Sequence, residues 1–342
     1  MGEKKSIGIQ VTDLNLLRDQ LVVRRHKLEA AATKSQTANL VQLLEEVDKA
    51  LERVEVGSFG ECAACKGAVE AERLLADPLT RFCLECLNPT EQRALEQDLQ
   101  LAARIQTGLL PRQDFVAAGW KTSYHYEPAG LVSGDYCDLL PDGRHLYFMI
   151  GDVSGKGIGA SMLMANLHAM FRALVPTGLP LNQLVERANR IFCGSTLPTQ
   201  YATLIIGKAD EYGTVEICNG GHPSPIHVSP NGVNVVPSEG LPVGLFHDQK
   251  FSTTTLKVAP GEALVVYTDG LSEAENPDGA QYADSSLSAL LRECHALSSR
   301  EIIDRCIREV LAFRAGLPKL DDQTILALQF SPDGSFARPG LT

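Results

Sequence analysis

Four short acidic motifs lie where apolar, strand-like runs begin or end, and their carboxylates are the side chains best suited to chemistry in this chain. They contain Asp135, Asp152, Asp269 and the neighbouring pair Asp321 and Asp322. Carboxylate oxygens are the ligands that Mg²⁺ and Mn²⁺ prefer, and these ions activate water and bind phosphate. The glycine-rich segment after Asp152 lets the backbone approach an ion or a phosphate closely. The pattern predicts a hard-metal site that acts on phosphate.

A predicted hairpin explains how two of these carboxylates meet. Its turn is Pro-Asp-Gly at residues 141–143, so residues whose numbers add to about 286 become partners, and Asp135 lies near Asp152. Asp269 follows one apolar strand, and residues 321–322 precede the last strand. If these two strands are antiparallel neighbours, the acidic residues share one end. All four positions are then expected to converge at one sheet edge.

A second metal site is predicted from sulfur ligands. Cys62, Cys65, Cys83 and Cys86 form two CxxC pairs separated by 17 residues. Two such pairs complete a tetrahedral Zn²⁺ site with no open position, so this ion is expected to be structural and to stabilise a small module. The alternative is four unrelated thiols. The other five cysteines are predicted to be small buried hydrophobic residues, and the odd total fits a reducing compartment.

The composition restricts the class of protein. Hydrophobic residues make up 44% and charged residues 21% of the 342 residues, as in a globular protein of one or two domains. The net charge of −11 argues against direct binding to nucleic acid or to an anionic membrane surface. No apolar run is expected to reach the ~18–20 residues that span a bilayer, and the first residues lack an apolar signal core. A cytoplasmic location is expected.

The periodicity of apolar residues divides the chain into four segments. Residues 1–89 carry a short helical hairpin followed by the cysteines, and residues 90–112 form a linker helix with a narrow apolar stripe. Residues 113–331 alternate between short strands, tight turns and a few helices, which favours an α+β sandwich over βαβ units. Residues 332–342 are expected to be a loose tail.

The cysteine-containing segment resembles the DksA/TraR zinc-finger family over about residues 36–88. The resemblance depends on residues 52–62, Cys65, residues 71–74 and residues 82–86. It implies binding to bacterial RNA polymerase through acidic residues at the tip of a helical hairpin. The tip here, Ala-Thr-Lys-Ser at residues 32–35, has no acidic residue. A role in protein contact or regulation is therefore favoured over transcriptional activity.

The larger segment resembles the metal-dependent serine/threonine protein phosphatases (PPM), and most closely their bacterial RsbU/SpoIIE-like branch, over about residues 95–330. The helix that ends Ala-Arg-Ile-Gln-x-x-Leu-Leu-Pro resembles the linker that precedes the domain in that branch. The other motifs occur in the order of the family, at residues 133–136, 151–157, 219–223, 240–244, 268–270 and 321–324.

This second resemblance implies an αββα sandwich with two or more Mn²⁺ or Mg²⁺ ions. Asp152 would bridge two ions, the Val153 carbonyl would be a further ligand, and Asp269 and Asp321 would complete one ion's shell. Asp135 would hold water of the metal shell or a further ion. Asp322 is the alternative to Asp321, because a shift of one residue is compatible with the sequence.

The resemblances imply a bacterial phosphoserine/phosphothreonine phosphatase whose substrate is a phosphorylated anti-sigma-factor antagonist of the STAS type. A homodimer through residues 95–109 is expected. The alternative is an RNA polymerase-binding regulator with an accessory phosphatase domain. His222 is interpreted as a histidine that supports its turn rather than a general acid, and Lys156 as a solvated loop residue rather than a phosphate-binding lysine.

Overall fold

The structure, a computed structural model, describes residues 11–32, 38–87, 89–196, 200–237 and 240–332. The chain divides into two compact units, residues 1–98 and 99–342. The division falls inside the predicted linker segment, and helix α4 (Pro89–Leu109) runs across it. Residues 333–342, most of the predicted tail, lie outside the described residues.

The first unit is built on two helices, α1 (Val11–Ala32) and α2 (Ala38–Glu55), which pack against each other. Residues 33–37 are outside the described residues, so the predicted tip is not seen beyond Ala32. After α2 the chain forms a compact segment with one short helix, α3 (Ala71–Ala76), and a single 3₁₀ turn at Leu84–Cys86. The predicted helical hairpin followed by a cysteine-rich segment is confirmed.

One small hydrophobic cluster holds the first unit together. Leu17 and Leu21 of α1 pack with Val47 of α2, and all three side chains are completely buried. The same cluster includes the buried residues Phe59 and Leu74 from the segment after α2. Two of the four cysteines, named below, also belong to it. The hydrophobic packing of this unit and its cysteine site therefore share residues.

The second unit contains eleven strands and five helices among its described residues. The strands are β1 (Phe115–Ala117), β2 (Trp120–Glu127), β3 (Asp135–Asp142), β4 (His145–Val153), β5 (Ala202–Asp210), β6 (Thr214–Gly220), β7 (Ile226–Ser229), β8 (Gly232–Val235), β9 (Thr253–Lys257), β10 (Ala263–Tyr267) and β11 (Gln323–Phe330). The helices are α5 (Gly157–Leu174), α6 (Leu181–Ser195), α7 (Asp269–Ser272), α8 (Ala283–Arg292) and α9 (Ser299–Arg314).

These elements form four layers. One sheet has the order β1-β2-β11-β10-β7-β8 and the other the order β3-β4-β5-β6-β9, with every pair antiparallel. Helices α5 and α6 cover the five-stranded sheet, and α8 and α9 cover the six-stranded sheet. Three hydrophobic clusters fill the spaces between successive layers. The predicted αββα sandwich is confirmed.

Strands β2 and β9, like the short edge strand β1, were not anticipated from the sequence. Strand β2 reads Trp-Lys-Thr-Ser-Tyr-His-Tyr-Glu, so it has no run of aliphatic residues, yet it pairs along its whole length with β11. Strand β9 is an exposed edge strand rich in threonine. In both, aromatic and β-branched residues favour a strand without producing an apolar pattern.

One helix corrects the expectation about membrane-length segments. Residues Gly157–Thr177 form a helix that is long and apolar enough to cross a membrane by length and composition. Its residues Met164, Leu167 and Phe171 are fully buried in the cluster between α5, α6 and the five-stranded sheet. A helix that covers a sheet with a wide apolar face can have the same composition, although only 39% of this window is buried.

Candidate active site and metal centres

The hairpin of β3 and β4 brings two carboxylates together. Asp135 is the direct cross-strand partner of Asp152, as the turn at residues 141–143 predicted. Directly opposed residues on antiparallel strands have Cβ atoms ~5 Å apart, and two like charges in this position destabilise each other. Asp135 is almost completely buried, at 1% exposure. Such a pair is stable only when protons or cations compensate the charge.

A second pair of segments supplies the remaining carboxylates. Strands β10 and β11 are antiparallel neighbours, so Asp269, which begins α7, lies at the same end as Asp321. The two turns approach so closely that a Cβ on Gly270 would lie 1.8 Å from the Asp322 carbonyl oxygen. Only glycine allows this approach. The predicted pairing of these two strands is confirmed.

The prediction that all four acidic positions converge at one sheet edge was wrong in one respect. Asp135 and Asp152 belong to the five-stranded sheet, whereas Asp269 and Asp321 belong to the six-stranded sheet. The acidic positions therefore meet where the corresponding ends of two stacked sheets face each other. The sequence pattern identified each strand pair but could not reveal that the two pairs lie in different layers.

Hydrogen bonds between the two sheets fix the buried carboxylate of Asp135. Thr268 and Thr324, one from each side of the β10–β11 pair, donate their hydroxyls to its Oδ2 at 2.9 and 2.5 Å. Thr268 also donates its backbone N–H to the Thr324 carbonyl at 2.9 Å. Both threonines are completely buried. Asp135 thus joins the layers as well as lying beside Asp152.

The adjacent residues Asp321 and Asp322 have different environments. The carboxylate of Asp322 accepts backbone N–H groups from Ala129 at 2.7 Å and Gly134 at 2.9 Å, one on each oxygen. The carboxylate of Asp321 is about two-fifths exposed and accepts the Asp322 backbone N–H at 2.9 Å. Asp322 is therefore engaged in holding the loop before β3, which leaves Asp321 as the better-placed ligand of the two.

The electrostatics of the cluster indicate excess negative charge. Burial, followed by the charges of Asp269, Asp321 and Asp322, raises the pKa of Asp152 to about 7. Burial and the charge of Asp321 raise the pKa of Asp269, and burial and the charge of Asp152 raise that of Asp135 well above its ordinary value. Carboxylates that raise one another's pKa values in a buried site form a cation-binding arrangement.

These residues fit divalent cations by their chemistry. The set consists of hard oxygen ligands, and the Val153 carbonyl lies against Gly134, where a Cβ would be only 2.9 Å from its oxygen. Asp152, Asp269 and Asp321 do not form a tight cluster. In the described part of the chain, only the cysteines bring three or more ligand atoms within 4.8 Å of one another.

His222 is buried beside this site. It lies on the turn after β6, where its backbone N–H donates to Asn219 Oδ1 at 2.8 Å and its carbonyl accepts from Asn219 Nδ2 at 3.0 Å. Its Nδ1 hydrogen-bonds to the hydroxyl of Thr203, the strand partner of Asp152, at 2.8 Å. Burial lowers the pKa of His222 to about 3. These contacts support the interpretation of His222 as a residue that holds its turn.

Two positioning groups were quoted within motifs but given no role. Gln106 of α4 is buried, and its side-chain amide donates to the Ser133 carbonyl at 2.7 Å and accepts the Ser133 N–H at 2.9 Å. The Ser133 hydroxyl accepts the N–H of Asp135 at 2.9 Å. A polar residue on the apolar stripe of the linker helix was the signal for Gln106. Thr324, two residues after Asp322, and Thr268, directly before Asp269, gave no such signal.

The four cysteines of the first unit are gathered in one place. Their Sγ atoms all lie within 4.8 Å of one another, and Cys65 Sγ is 3.7 Å from Cys83 Sγ. Backbone N–H groups point at two of them, from Gly67 to Cys65 and from Cys83 to Cys62, both at 3.4 Å. Cys62 and Cys83 are buried in the hydrophobic cluster of this unit. The predicted grouping is confirmed.

The thiols do not ionise alike. Backbone N–H groups of Cys65 and Cys83 lower the pKa of Cys62 to about 6, whereas the neighbouring thiol of Cys83 raises that of Cys86 to about 12. Four thiols this close share hydrogen bonds and cannot all become thiolates without a compensating cation. A tetrahedral cation of sulfur preference, which is Zn²⁺, fits this donor set.

Comparison with known proteins finds relatives of both the cysteine-containing segment and the carboxylate-containing unit. The family model "Prokaryotic dksA/traR C4-type zinc finger" matches residues 57–92. The Synechocystis protein IcfG is 27% identical over 68% of this chain, and the alignment spans 41% of its own length. Two Bacillus subtilis proteins named phosphoserine phosphatases also match. RsbU is 22% identical over 70% of this chain and 71% of its own length, and RsbP is 25% identical over 52% and 46%.

Solved structures show the same fold. The SiaA-PP2C domain of Pseudomonas aeruginosa superposes with a TM-score of 0.63 at 16% identity, over 70% of this chain and 99% of that one. The RsbU and RsbW domains of Rv1364c from Mycobacterium tuberculosis give 0.54 at 26% identity, over 63% and 60%. The family model "Stage II sporulation protein E (SpoIIE)" matches residues 142–331, more than half of the chain, so this protein belongs to the SpoIIE family.

Proposed function

We propose that this protein is a Mn²⁺- or Mg²⁺-dependent protein phosphatase that hydrolyses phosphoserine and phosphothreonine. The observation that carries the proposal is the convergence of three half-buried carboxylates, Asp152, Asp269 and Asp321, at the facing ends of the two sheets. Such a group needs cations, and cations held by oxygen ligands beside an open surface suit phosphate chemistry. Membership of the SpoIIE family and relatives named phosphoserine phosphatases support the same activity.

In this proposal Asp152, the Val153 carbonyl, Asp269 and Asp321 would hold the divalent ions. When bound, these ions would activate water for in-line attack on phosphorus and neutralise the charge on the phosphoryl oxygens. Because the activated water would itself be the nucleophile, no covalent enzyme intermediate is expected.

The remaining polar residues hold the ligands in place. Asp135 keeps Asp152 in position across the hairpin and is itself fixed by the two threonine hydroxyls. It also provides a further oxygen for a metal's water shell. Asp322 stays with its two backbone amides and fixes the loop before β3. Ligands held this rigidly keep their geometry when the site fills, which lowers the cost of organising it.

The proposed substrate is a phosphorylated anti-sigma-factor antagonist of the STAS type. The support is the motif order of the RsbU/SpoIIE-like branch and the relatives RsbU and RsbP. The proposed location is the cytoplasm, where a reducing environment keeps the cysteine cluster free of disulfides.

Phosphatase activity should depend on Asp152. We expect Asp152→Asn to lower the rate of p-nitrophenyl phosphate and phosphoserine-peptide hydrolysis in Mn²⁺ by more than ~100-fold, because even loss of outer-shell support costs ~10–100-fold. Asp278→Asn is the matched control, since Asp278 is also an aspartate beside a glycine but lies in an exposed turn. Equal rates for the wild type and Asp152→Asn would contradict the proposed function.

In the first unit we propose a structural Zn²⁺ bound by Cys62, Cys65, Cys83 and Cys86. Its support is the convergence of four sulfur atoms with backbone N–H groups directed at two of them. With four protein ligands the ion has no position for a substrate, so its role is to stabilise the fold of this segment.

The match to a DksA/TraR-type zinc finger favours a second candidate function, binding to RNA polymerase by residues 1–89. Co-purification of polymerase with the wild type but not with a chain lacking residues 1–89 would support it. A regulatory role for this segment would instead change phosphatase activity without retaining polymerase.

We also propose a homodimer through residues 95–109, where Ile105 is 59% exposed. Sedimentation of the wild type as a dimer and of Ile105→Glu as a monomer would support this.

A further inference from the structure

Lys156 connects two segments of the acidic site. It lies in the loop between β4 and α5, between Gly155 and Gly157, both of which have positive φ. Its ammonium nitrogen is 3.1 Å from Asp321 Oδ2 and 2.6 Å from the Leu320 carbonyl oxygen. The Lys156 side chain is exposed, as the sequence suggested, but its ammonium is paired. It is a cation held at the edge of the carboxylate cluster.

The contacts of Asp321 determine what must happen when it becomes a ligand. Its Oδ1 accepts the Asp322 backbone N–H, and its Oδ2 is paired with Lys156. A divalent cation bound at Oδ2 would repel the Lys156 ammonium beside it, which weakens the ion pair and favours release of the lysine. The lysine side chain is 59% exposed, so the released ammonium moves toward solvent at the mouth of the site.

The other cations nearby are already engaged. Lys156 and Asp321 line a cleft of about 350 Å³ beside the site, together with Arg314 and Lys319. Arg314 donates to the Leu317 carbonyl, and Lys319 lies 2.7 Å from both Glu127 and the Pro128 carbonyl. Among the described residues that line this cleft, Lys156 is thus the cation whose partner is a proposed metal ligand.

We propose that Lys156 has two successive partners: Asp321 before the metal ions bind, and a phosphoryl oxygen of the substrate afterwards. The proposal rests on the proposed phosphatase function. A lysine ammonium is a compact point charge on a flexible stem and is a common phosphate ligand. Residues 128–134, directly before Asp135, contain no arginine, so a cation from the glycine loop supplies the positive charge that a phosphate dianion needs.

The two roles have opposite consequences for binding. As the partner of Asp321, Lys156 competes with divalent cations and weakens their binding. As a phosphate ligand, it strengthens the binding of phosphate and of phosphorylated substrate. A residue that merely supports the loop would weaken both, or neither. The field of Lys156 also opposes the rise in the pKa values of Asp152 and Asp269 that burial and the other carboxylates cause.

The first measurement is equilibrium dialysis of Mn²⁺ against the full-length, zinc-loaded protein. Lys156→Gln should bind Mn²⁺ about twofold to fivefold more tightly than the wild type, the range expected for an exposed ion pair. Lys156→Arg keeps the charge and should bind like the wild type. Lys250→Gln is the matched control, because Lys250 is also an exposed lysine in an ion pair, 2.8 Å from Glu186 on α6.

The second measurement is inhibition by inorganic phosphate with saturating Mn²⁺. The inhibition constant of Lys156→Gln should rise about tenfold, as for the loss of one hydrogen bond to a charged group, while Lys250→Gln stays unchanged. Unchanged or weaker Mn²⁺ binding in Lys156→Gln overturns the proposal, and so does an unchanged phosphate constant. Wild-type Mn²⁺ binding by Asp152→Asn would instead refute the proposed function itself, so the two failures are distinguishable.

Discussion

The two candidate metal sites differ in how they are built into the fold. The cysteines of the first unit converge within 4.8 Å, and Cys62 and Cys83 belong to the small hydrophobic cluster of that unit. The carboxylates of the second unit are spread over two sheets that are already held together by a large hydrophobic cluster between them. One site is part of what makes its unit fold, whereas the other is placed on a structure that exists without it. Metal removal should therefore unfold the segment that carries the cysteines. In the second unit it should abolish activity but leave the fold intact.

The largest expected effect follows from loss of the sulfur site. Cys62→Ser should abolish zinc binding and unfold residues 57–87, because structural Zn²⁺ in small modules contributes on the order of 10 kcal/mol to folding. Zinc content and protection from proteolysis in the full chain measure this. Cys193→Ser is the control, since Cys193 is a half-buried cysteine on α6 outside the cluster. One zinc per chain with full protection in Cys62→Ser would contradict the comparison.

The backbone approach at Gly270 is the corresponding weak point of the carboxylate site. Gly270→Ala places a Cβ 1.8 Å from the Asp322 carbonyl oxygen, so the turns that carry Asp269 and Asp321 must move apart. We expect a loss of about 3 kcal/mol in the free energy of unfolding, together with weaker Mn²⁺ binding.

Denaturant unfolding of Gly270→Ala can be followed by Trp120, the chain's one tryptophan, which is fully buried in the second unit. Gly194→Ala on α6, where a Cβ meets nothing within 4 Å, is the control and should be neutral or slightly stabilising. If both variants unfold alike, the close approach does not limit stability.

A smaller effect is the pH dependence of stability that the carboxylate site causes. The folded-state pKa of Asp152 is about 7, above its ordinary value of 3.8, so the folded protein keeps this proton between those pH values while the unfolded chain has lost it. Stability without Mn²⁺ or Mg²⁺ therefore falls as the pH rises through this window, by at most ~1.4 kcal/mol per unit. Asp152→Asn should gain about 1–3 kcal/mol over the wild type between pH 5 and pH 8.

Trp120 fluorescence in denaturant measures this difference, and the comparison with Asn removes contributions from other titrating groups. Saturating Mn²⁺ should restore the stability of the wild type at pH 8, since ions that bind the folded state stabilise it. A variant that loses stability relative to the wild type as the pH rises would show that Asp152 is not under repulsion from its neighbours.

Much of this arrangement was predictable because it depends on local signals. The pairing of Asp135 with Asp152 follows from one hairpin turn, and the grouping of the cysteines follows from two CxxC spacings. The sequence did not reveal that the carboxylates belong to two layers, because layer assignment depends on packing between distant strands. Nor did it reveal the partner of Lys156, since Asp321 lies 165 positions away and only the closed sandwich brings them together.

The smallest expected effect concerns His222, which the motif order makes a candidate proton donor at the carboxylate site. Its depressed pKa of about 3 leaves the imidazole neutral at pH 6–8, with Nδ1 engaged by Thr203. A general acid must instead be protonated near the working pH. We therefore expect no titration of the His222 imidazole in NMR spectra between pH 5 and pH 9.

We also expect the pH dependence of kcat/KM to keep its shape in His222→Gln, with a change in rate of only a few-fold from the loosened turn. His222→Gln identifies the imidazole signal, and His247→Gln, a change at an exposed histidine, is the matched control for the rate. The folded-state pKa of His222 lies below its unfolded value, so its contribution to stability is lost as the pH falls below about 6.5, opposite in direction to that of Asp152. Loss of the basic limb of the kcat/KM profile in His222→Gln, with the fold intact, would make His222 a proton donor. The carboxylate site would then be more than a set of metal ligands.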